Sequence, residues 1–309
     1  MNGIQKLALA SAIGVSAFGM SAGHAVAATS AVAVQKRCTA VAQGNVASLA
    51  QAAKNIMCSM RDRRLLIVGE VHGGDETPEL VTDIVRDASV ARPVRLGLEI
   101  PVEERAGLMR FLHSKGTSND QAMLLQGKFW DLQDGRSSKA MFRMIDHLRA
   151  LMASGADVDV FPMEQYGDAA NIAQLGGMLA AKEAGMAKSM EQVIDQATSA
   201  TLVVALMGNL HARYGKKFIP VDIPTPSVSE RFKRFAPLVV LPFARQSNNW
   251  NCTDAGCGMH PVTSTSAPQG KLPQFLVDDS PVASLAATEL WLPNMIGSSP
   301  AKTSDDGKK

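Results

Sequence analysis

The chain has 309 residues, of which 46% are hydrophobic and 19% charged. That is enough apolar matter for a folded core, and it excludes a disordered or collagen-like chain. The 31 basic and 29 acidic residues leave a net charge of +2, which gives no electrostatic case for nucleic acid, and no uncharged apolar run of about 20 residues follows the N-terminus, which excludes a polytopic membrane protein and a transmembrane segment in a mature chain.

Residues 1–27 have the three parts of a secretory signal peptide. Lys6 supplies a small positive region, Leu7 to Phe18 is apolar and helix-prone, and Ala25-Val26-Ala27 gives a small-x-small cleavage site. The expected location is periplasmic or secreted. Cys38 follows Gln35-Lys36-Arg37, unlike the small apolar residues that precede a lipidated cysteine. An exported protein meets oxidising conditions, so its four cysteines read first as disulfides. Pairing by proximity in sequence gives Cys38 with Cys58 and Cys252 with Cys257. The rival reading is a zinc site from Cys252, Cys257 and His260, which offers three ligands at unusual spacing.

After the leader, an Ala-rich stretch turns helical from about Val46 to Ser59. Arg64 to Gly69 (RLLIVG) is a short apolar run that ends in glycine and reads as a buried strand. Glu76 to Val90 has helical spacing, with Leu80, Ile84 and Ala88 on one face. Pro93 to Ile100 is a second strand and Val102 to His113 a second helix. Residues 114–136 read as polar and irregular. Ser137 to Ser154 is a third helix, Val158 to Phe161 a third strand, Ala169 to Gly185 a helix, and Thr201 to Met207 a fourth strand. Leu238 to Phe243 is a candidate fifth strand, and Gln274 to Val277 and Glu289 to Leu292 are candidate short ones. Strands alternating with helices predict an α/β fold with a mainly parallel central sheet, helices on both faces and an elaborated C-terminal part. Residues 28–295 then form one elaborated domain, with 296–309 a small, polar, disordered tail.

The chemistry lies at the strand ends. The first strand runs into Gly69-Glu70-Val71-His72 and the fourth into Gly208-Asn209-Leu210-His211, two copies of Gly-x-x-His. The second ends in Leu98-Glu99-Ile100 and the third in Pro162-Met163-Glu164. In open α/β sheets, ligands bind at the carboxyl ends of the strands. One His after a strand is usually a hydrogen-bonded structural residue; two, with carboxylates between them, form a candidate site. His72, Glu99 and His211 suit a divalent metal such as Zn or Mn, with one position open for water. Without a metal, His72 activates water itself, oriented by Glu70. Arg136, in the segment Asp134-Gly135-Arg136, either steadies an anionic group or makes a salt bridge. Glu76 and Glu79 read as helix N-terminal charges, His113 and His147 as structural, and Tyr166 and the methionines as core or pocket lining. Lys216-Lys217 and the basic residues between Arg231 and Arg234 read as solvated faces.

The ordered set Gly69-Glu70-Val71-His72, Glu99 and Gly208-Asn209-Leu210-His211 resembles the signature of the Tiki/ChaN/erythromycin-esterase-like superfamily. The match spans roughly Arg64 to Arg213, about half of the chain. The resemblance implies an exported hydrolase, with or without a metal, that cleaves an ester or amide of a small molecule or peptide. The alternative it implies is a haem- or iron-binding envelope protein of ChaN type, with His72 or His211 as axial ligand. This chain lacks the lipidation cysteine usual in ChaN-like proteins. A third reading is a catalytically silent envelope domain with a structural polar cluster.

Overall fold

A computed structural model describes residues 43–60, 63–214, 223, 225–254, 256–278 and 286–302. The leader, Cys38 and the Lys216-Lys217 pair lie outside the described residues. In chain order the elements are β1 (Gly44–Asn45), α1 (Leu49–Met60), β2 (Leu65–Glu70), α2 (Glu76–Ser89), β3 (Val94–Pro101), α3 (Arg105–Leu112), α4 (Ser118–Leu124), α5 (Lys139–Ala153), β4 (Val158–Glu164), α6 (Ala169–Leu175), α7 (Met178–Gln196), β5 (Leu202–Gly208), α8 (Asn209–Ala212), α9 (Val228–Arg231), β6 (Leu238–Thr253), β7 (Gly256–Thr263), β8 (Gln274–Asp278) and β9 (Ala286–Met295).

All the described strands join one sheet, in the order β1-β8-β9-β6-β2-β5-β3-β4, with β7 paired to β6 outside that path. The six strands β9-β6-β2-β5-β3-β4 run parallel. β2 and β5 are buried at every position, as a strand covered on both faces must be. Alternation along β2 divides the core. Leu66 and Val68 face one cluster, shared with Ile56, Leu80, Ile84, Phe111 and Met144 of helices α1, α2, α3 and α5. Leu65 and Ile67 face the other, shared with Met186 and Met190 of α7 and with Val228 of α9. Helices therefore cover both faces, as alternating side-chain direction requires. Among the described residues no helix is long and apolar enough to cross a membrane.

The structure departs from the expected elements where local signals compete. The helix expected over 169–185 is broken at Gly176-Gly177, both at positive φ (93° and 113°), and resumes as the longer α7. The stretch 114–136 contains α4, started by a capping box between Thr117 and Asp120. The expected fifth strand continues ten residues beyond Phe243, because its outer half pairs with β7 in an antiparallel hairpin. A disulfide joins Cys252 to Cys257 across that hairpin, so neither sulfur is a thiolate and the zinc reading with His260 is overturned. Cys58 is also disulfide-bonded.

Residues 296–302, expected within a disordered tail, are instead hydrogen-bonded into the fold. Ser298 N–H donates to Gly73 O (2.7 Å), Asp75 N–H to Ile296 O (2.9 Å), Lys139 N–H to Ser299 O (2.8 Å) and Ala301 N–H to Ser137 O (2.9 Å). The buried Ser298 hydroxyl accepts from Ala140 N–H. Backbone pairing holds this small, polar stretch in place, and composition alone does not reveal backbone pairing.

Candidate active site at the carboxyl edge of the sheet

Four adjacent parallel strands deliver their ends to one place. β2 ends in Glu70 and turns into His72. β3 carries Glu99, β4 ends in Glu164, and β5 ends in Gly208 before the short α8 that bears His211. Glu70 Oε2 meets His72 Nδ1 at 2.9 Å. The other nitrogen of His72, Nε2, faces Glu99 Oε2 at 3.7 Å. Glu99 Oε1 lies 3.5 Å from His211 Nε2, and Glu99 Oε2 accepts the Gly208 N–H at 2.6 Å. Glu70, His72, Glu99 and His211 thus converge around one buried carboxylate.

Gly208 permits this crowding. A Cβ at that position would sit 2.8 Å from His72 Nε2 and 3.5 Å from Glu99 Oε2. Gly73, at φ +78°, turns the chain directly after His72, and a side chain there would strike Trp250 O. The turn is held from outside by the hairpin. Trp250 N–H donates to Gly73 O at 3.0 Å, and the buried Asn249 donates Nδ2–H to Val71 O at 2.9 Å.

Arg136 arrives from the loop before α5. It donates through Nε and Nη2 to Asp134 at 2.9 and 2.7 Å and through Nη1 to Glu164, and that nitrogen lies 3.7 Å from Glu99 Oε1. Of its two expected roles, the structure realises the salt bridge. Burial works against the guanidinium charge, but the hydrogen bonds and charge of Asp134, with Glu164 and Glu99, more than offset it and raise its pKa.

Three further groups complete the cluster. Lys182 Nζ contacts Glu99 Oε1 at 2.7 Å and Glu164 Oε2 at 3.2 Å. Tyr166 donates its hydroxyl to Glu164 Oε1 at 2.7 Å, and burial together with that hydrogen bond raises its pKa. Glu183, fully buried, meets His211 Nδ1 at 3.2 Å and accepts from Arg213 Nη1 at 2.7 Å and from Val228 N–H at 2.8 Å. Neither Lys182 nor Glu183 is visible as a site residue from motif spacing. One signal was available: Glu183 shares a helix face with Ala180 and Ala187, both buried, and a carboxylate on an apolar face needs a partner. Glu76, by contrast, accepts from Ile296 N–H, and Asp75 pairs with Arg143.

The electrostatics follow from this geometry. Burial penalises the Glu99 carboxylate, yet His72, His211 and Lys182 outweigh that penalty and hold its pKa at about 2. Burial also lowers the basicity of His72, but the hydrogen bond and charge of Glu70, with the charge of Glu99, more than compensate and leave its pKa above the ordinary 6.5. His72 is therefore a strengthened base, with 24% of its side chain exposed.

A divalent cation fits these residues poorly. Glu99, expected as a ligand, already carries an ammonium and a nearby guanidinium on one oxygen and a backbone amide on the other. A dication would have to approach two resident cations. Among the described residues, no group of three or more His, Cys, Asp or Glu is arranged to hold a metal.

A mainly parallel sheet with helices on both faces carries the His/Glu cluster at its carboxyl edge, and that fold is shared with several solved structures. The chain is similar to the erythromycin esterase EreC, solved as a mutant in its open conformation (TM-score 0.59, 8% identity, covering 82% of this chain and 98% of that one). It is similar to a succinoglycan biosynthesis protein (TM-score 0.57, 9% identity, 90% and 100%) and to a protein from Bacillus cereus (TM-score 0.54, 12% identity, 89% and 99%). At these identities the likeness is one of fold. No family model matches the chain, and no curated protein matches it in sequence.

Proposed function

We propose that the protein is an exported hydrolase that cleaves an ester or amide bond in a small molecule or peptide without a metal, with His72 as general base. The observation that carries this reading is the chain of contacts Glu70 Oε2–His72 Nδ1 at 2.9 Å and His72 Nε2–Glu99 Oε2 at 3.7 Å. Glu70 fixes the ring by accepting a hydrogen bond from Nδ1–H, which leaves the unprotonated Nε2 to accept a proton from water. The water oxygen bonds to the substrate carbonyl carbon as its proton passes to Nε2. The bond to the leaving group then breaks, and the same proton moves from Nε2 to the departing oxygen or nitrogen. Glu70, at Nδ1, stabilises the imidazolium formed in between, as the carboxylate of a Ser-His-Asp triad does, and Glu99 adds its negative charge from the Nε2 side. Lys182 and Arg136 hold Glu99 and Glu164 in place. Export is supported by the pattern of residues 1–27 and by the Cys252–Cys257 disulfide, which suits an oxidising compartment.

The haem or iron reading asks for an imidazole nitrogen free to meet iron. Here each nitrogen of both rings faces a carboxylate, which favours proton transfer. The test is hydrolysis of p-nitrophenyl acetate by the purified protein, with and without a metal chelator, alongside a haem titration. The expected result is turnover that survives the chelator and is lost in His72→Ala. A Soret band on haem addition that disappears in His72→Ala, with no hydrolysis, overturns the proposal.

A further inference from the structure

We infer that Glu183 is a positioning residue that dictates which nitrogen of His211 faces Glu99. The inference deepens the hydrolytic reading and rests on it only for its effect on rate. Glu183 projects from α7 into the space behind His211 and has no exposed surface. Two of its three partners are unambiguous donors: the Arg213 guanidinium at 2.7 Å and the Val228 amide at 2.8 Å. A carboxylate with these neighbours accepts from His211 as well, so the proton at that contact sits on Nδ1. Nε2 is then the nitrogen presented to Glu99 Oε1, 3.5 Å away.

The surroundings leave the ring little choice. His211 is 7% exposed at its side chain. The peptide that follows it is fastened on both sides: the Ser229 hydroxyl donates to Ala212 O at 2.8 Å, and the Ser227 hydroxyl donates to Arg213 O at 2.6 Å. The backbone of the turn is thus set by Ser227, Ser229 and Arg213, whereas among the described residues Glu183 is the partner of the ring on its Nδ1 side. A residue that only tied α7 to α9 would need the Arg213 and Val228 contacts. It would not need the third, to an imidazole at the site. The third contact has the form of an orienting carboxylate behind a working histidine, in which the second shell fixes the tautomer.

The test compares Glu183→Gln with Arg213→Gln, a substitution that breaks the same buried network but leaves a carboxylate behind His211. Nitrogen-15 spectra of the histidine rings, assigned with a His211→Gln variant, report the tautomer without any substrate. The expected outcome in Glu183→Gln is that the two His211 ring nitrogens lose their distinct Nδ1-protonated signature. Turnover of p-nitrophenyl acetate should fall roughly 10²-fold in kcat with little change in KM, because a turned His211 no longer holds Glu99 in place opposite His72. Arg213→Gln should lower Tm to a similar extent and leave the His211 signature in place. If Glu183→Gln fails to fold, Glu183→Asp, which withdraws the carboxylate by one methylene, is read in the same way. An unchanged His211 signature in the Glu183 variants overturns the inference, as does an equal change in Arg213→Gln. Absence of turnover in the unmodified protein would overturn the hydrolytic reading and leave the ring-nitrogen result standing.

Discussion

The two Gly-x-x-His turns have the same local sequence and opposite surroundings. His72 takes its carboxylate partner, Glu70, from its own strand two residues earlier, and keeps 24% of its side chain in solvent. His211 takes its partner, Glu183, from a helix on the far side of the chain, and is 7% exposed. One histidine is built locally and is partly exposed. The other is built from long-range contacts and is sealed into the core. Both face the same Glu99 carboxylate from opposite sides. A repeated motif therefore marks a shared location, while the neighbours decide what each copy does.

That contrast can be broken most sharply by replacing each histidine in turn. His72→Gln should reduce turnover of an activated ester by about 10²–10⁴-fold, the usual contribution of a general base, with Tm almost unchanged. His211→Gln should in contrast lower stability, by about 1–3 kcal/mol, because it removes a buried hydrogen-bond partner of the Glu183 carboxylate. Denaturant titration of the two variants checks this, and equal stability losses would erase the distinction drawn here.

The next largest effect is expected at Gly208. Its Ala variant puts a methyl 2.8 Å from His72 Nε2 and should push the open histidine off its line to Glu99. A loss of about 10²-fold in kcat follows from a displacement of that order. Steady-state kinetics on the folded variant measure it, and wild-type turnover would show that His72 is not held at the place of reaction.

The smallest effect concerns pH. Burial, opposed by Glu70 and Glu99, leaves the pKa of His72 above the ordinary 6.5. The neutral base forms as pH rises through that value, so kcat/KM should climb with a midpoint above 6.5. Glu70→Gln removes both a hydrogen bond and a charge that favour the imidazolium, and should move the midpoint down. The linkage to stability has the same sign. A raised folded-state pKa contributes stability below the unfolded value and loses it as pH rises through the folded one. A pH–rate profile of both proteins decides the matter; a midpoint that Glu70→Gln leaves in place would remove Glu70 from the site.

Much of this was legible in the chain. RLLIVG and TLVVALM are near-continuous apolar runs because the strands they form are covered on both faces, and the polar residues that follow are conspicuous for that reason. Glu70, His72, Glu99 and His211 were found in this way. Lys182 and Glu183 were not, because helix α7 meets the site only through tertiary packing, and no spacing rule connects residue 183 with residue 211. The hairpin strand β7 was missed for a different physical reason. Its residues (GCGMHPVT) are mostly exposed, so no buried face imposes alternation on them. The zinc reading of Cys252, Cys257 and His260 failed because a hairpin register sets the two cysteines directly opposite each other, a relation that pairing creates and linear spacing conceals.

The segment from Ile296 to Ala301 has a consequence for the order of assembly. It hydrogen-bonds both to the Gly73–Asp75 turn beside His72 and to the Ser137–Ala140 stretch beside Arg136. During synthesis every acid and base of the cluster leaves the ribosome before this lacing does. Contacts that close such long loops must meet a closure entropy that local contacts do not, and the two loops flanking the cluster cannot be fastened together before this segment has been made. The last-made residues described here are thus the ones that finish a site whose chemical groups were all made long before.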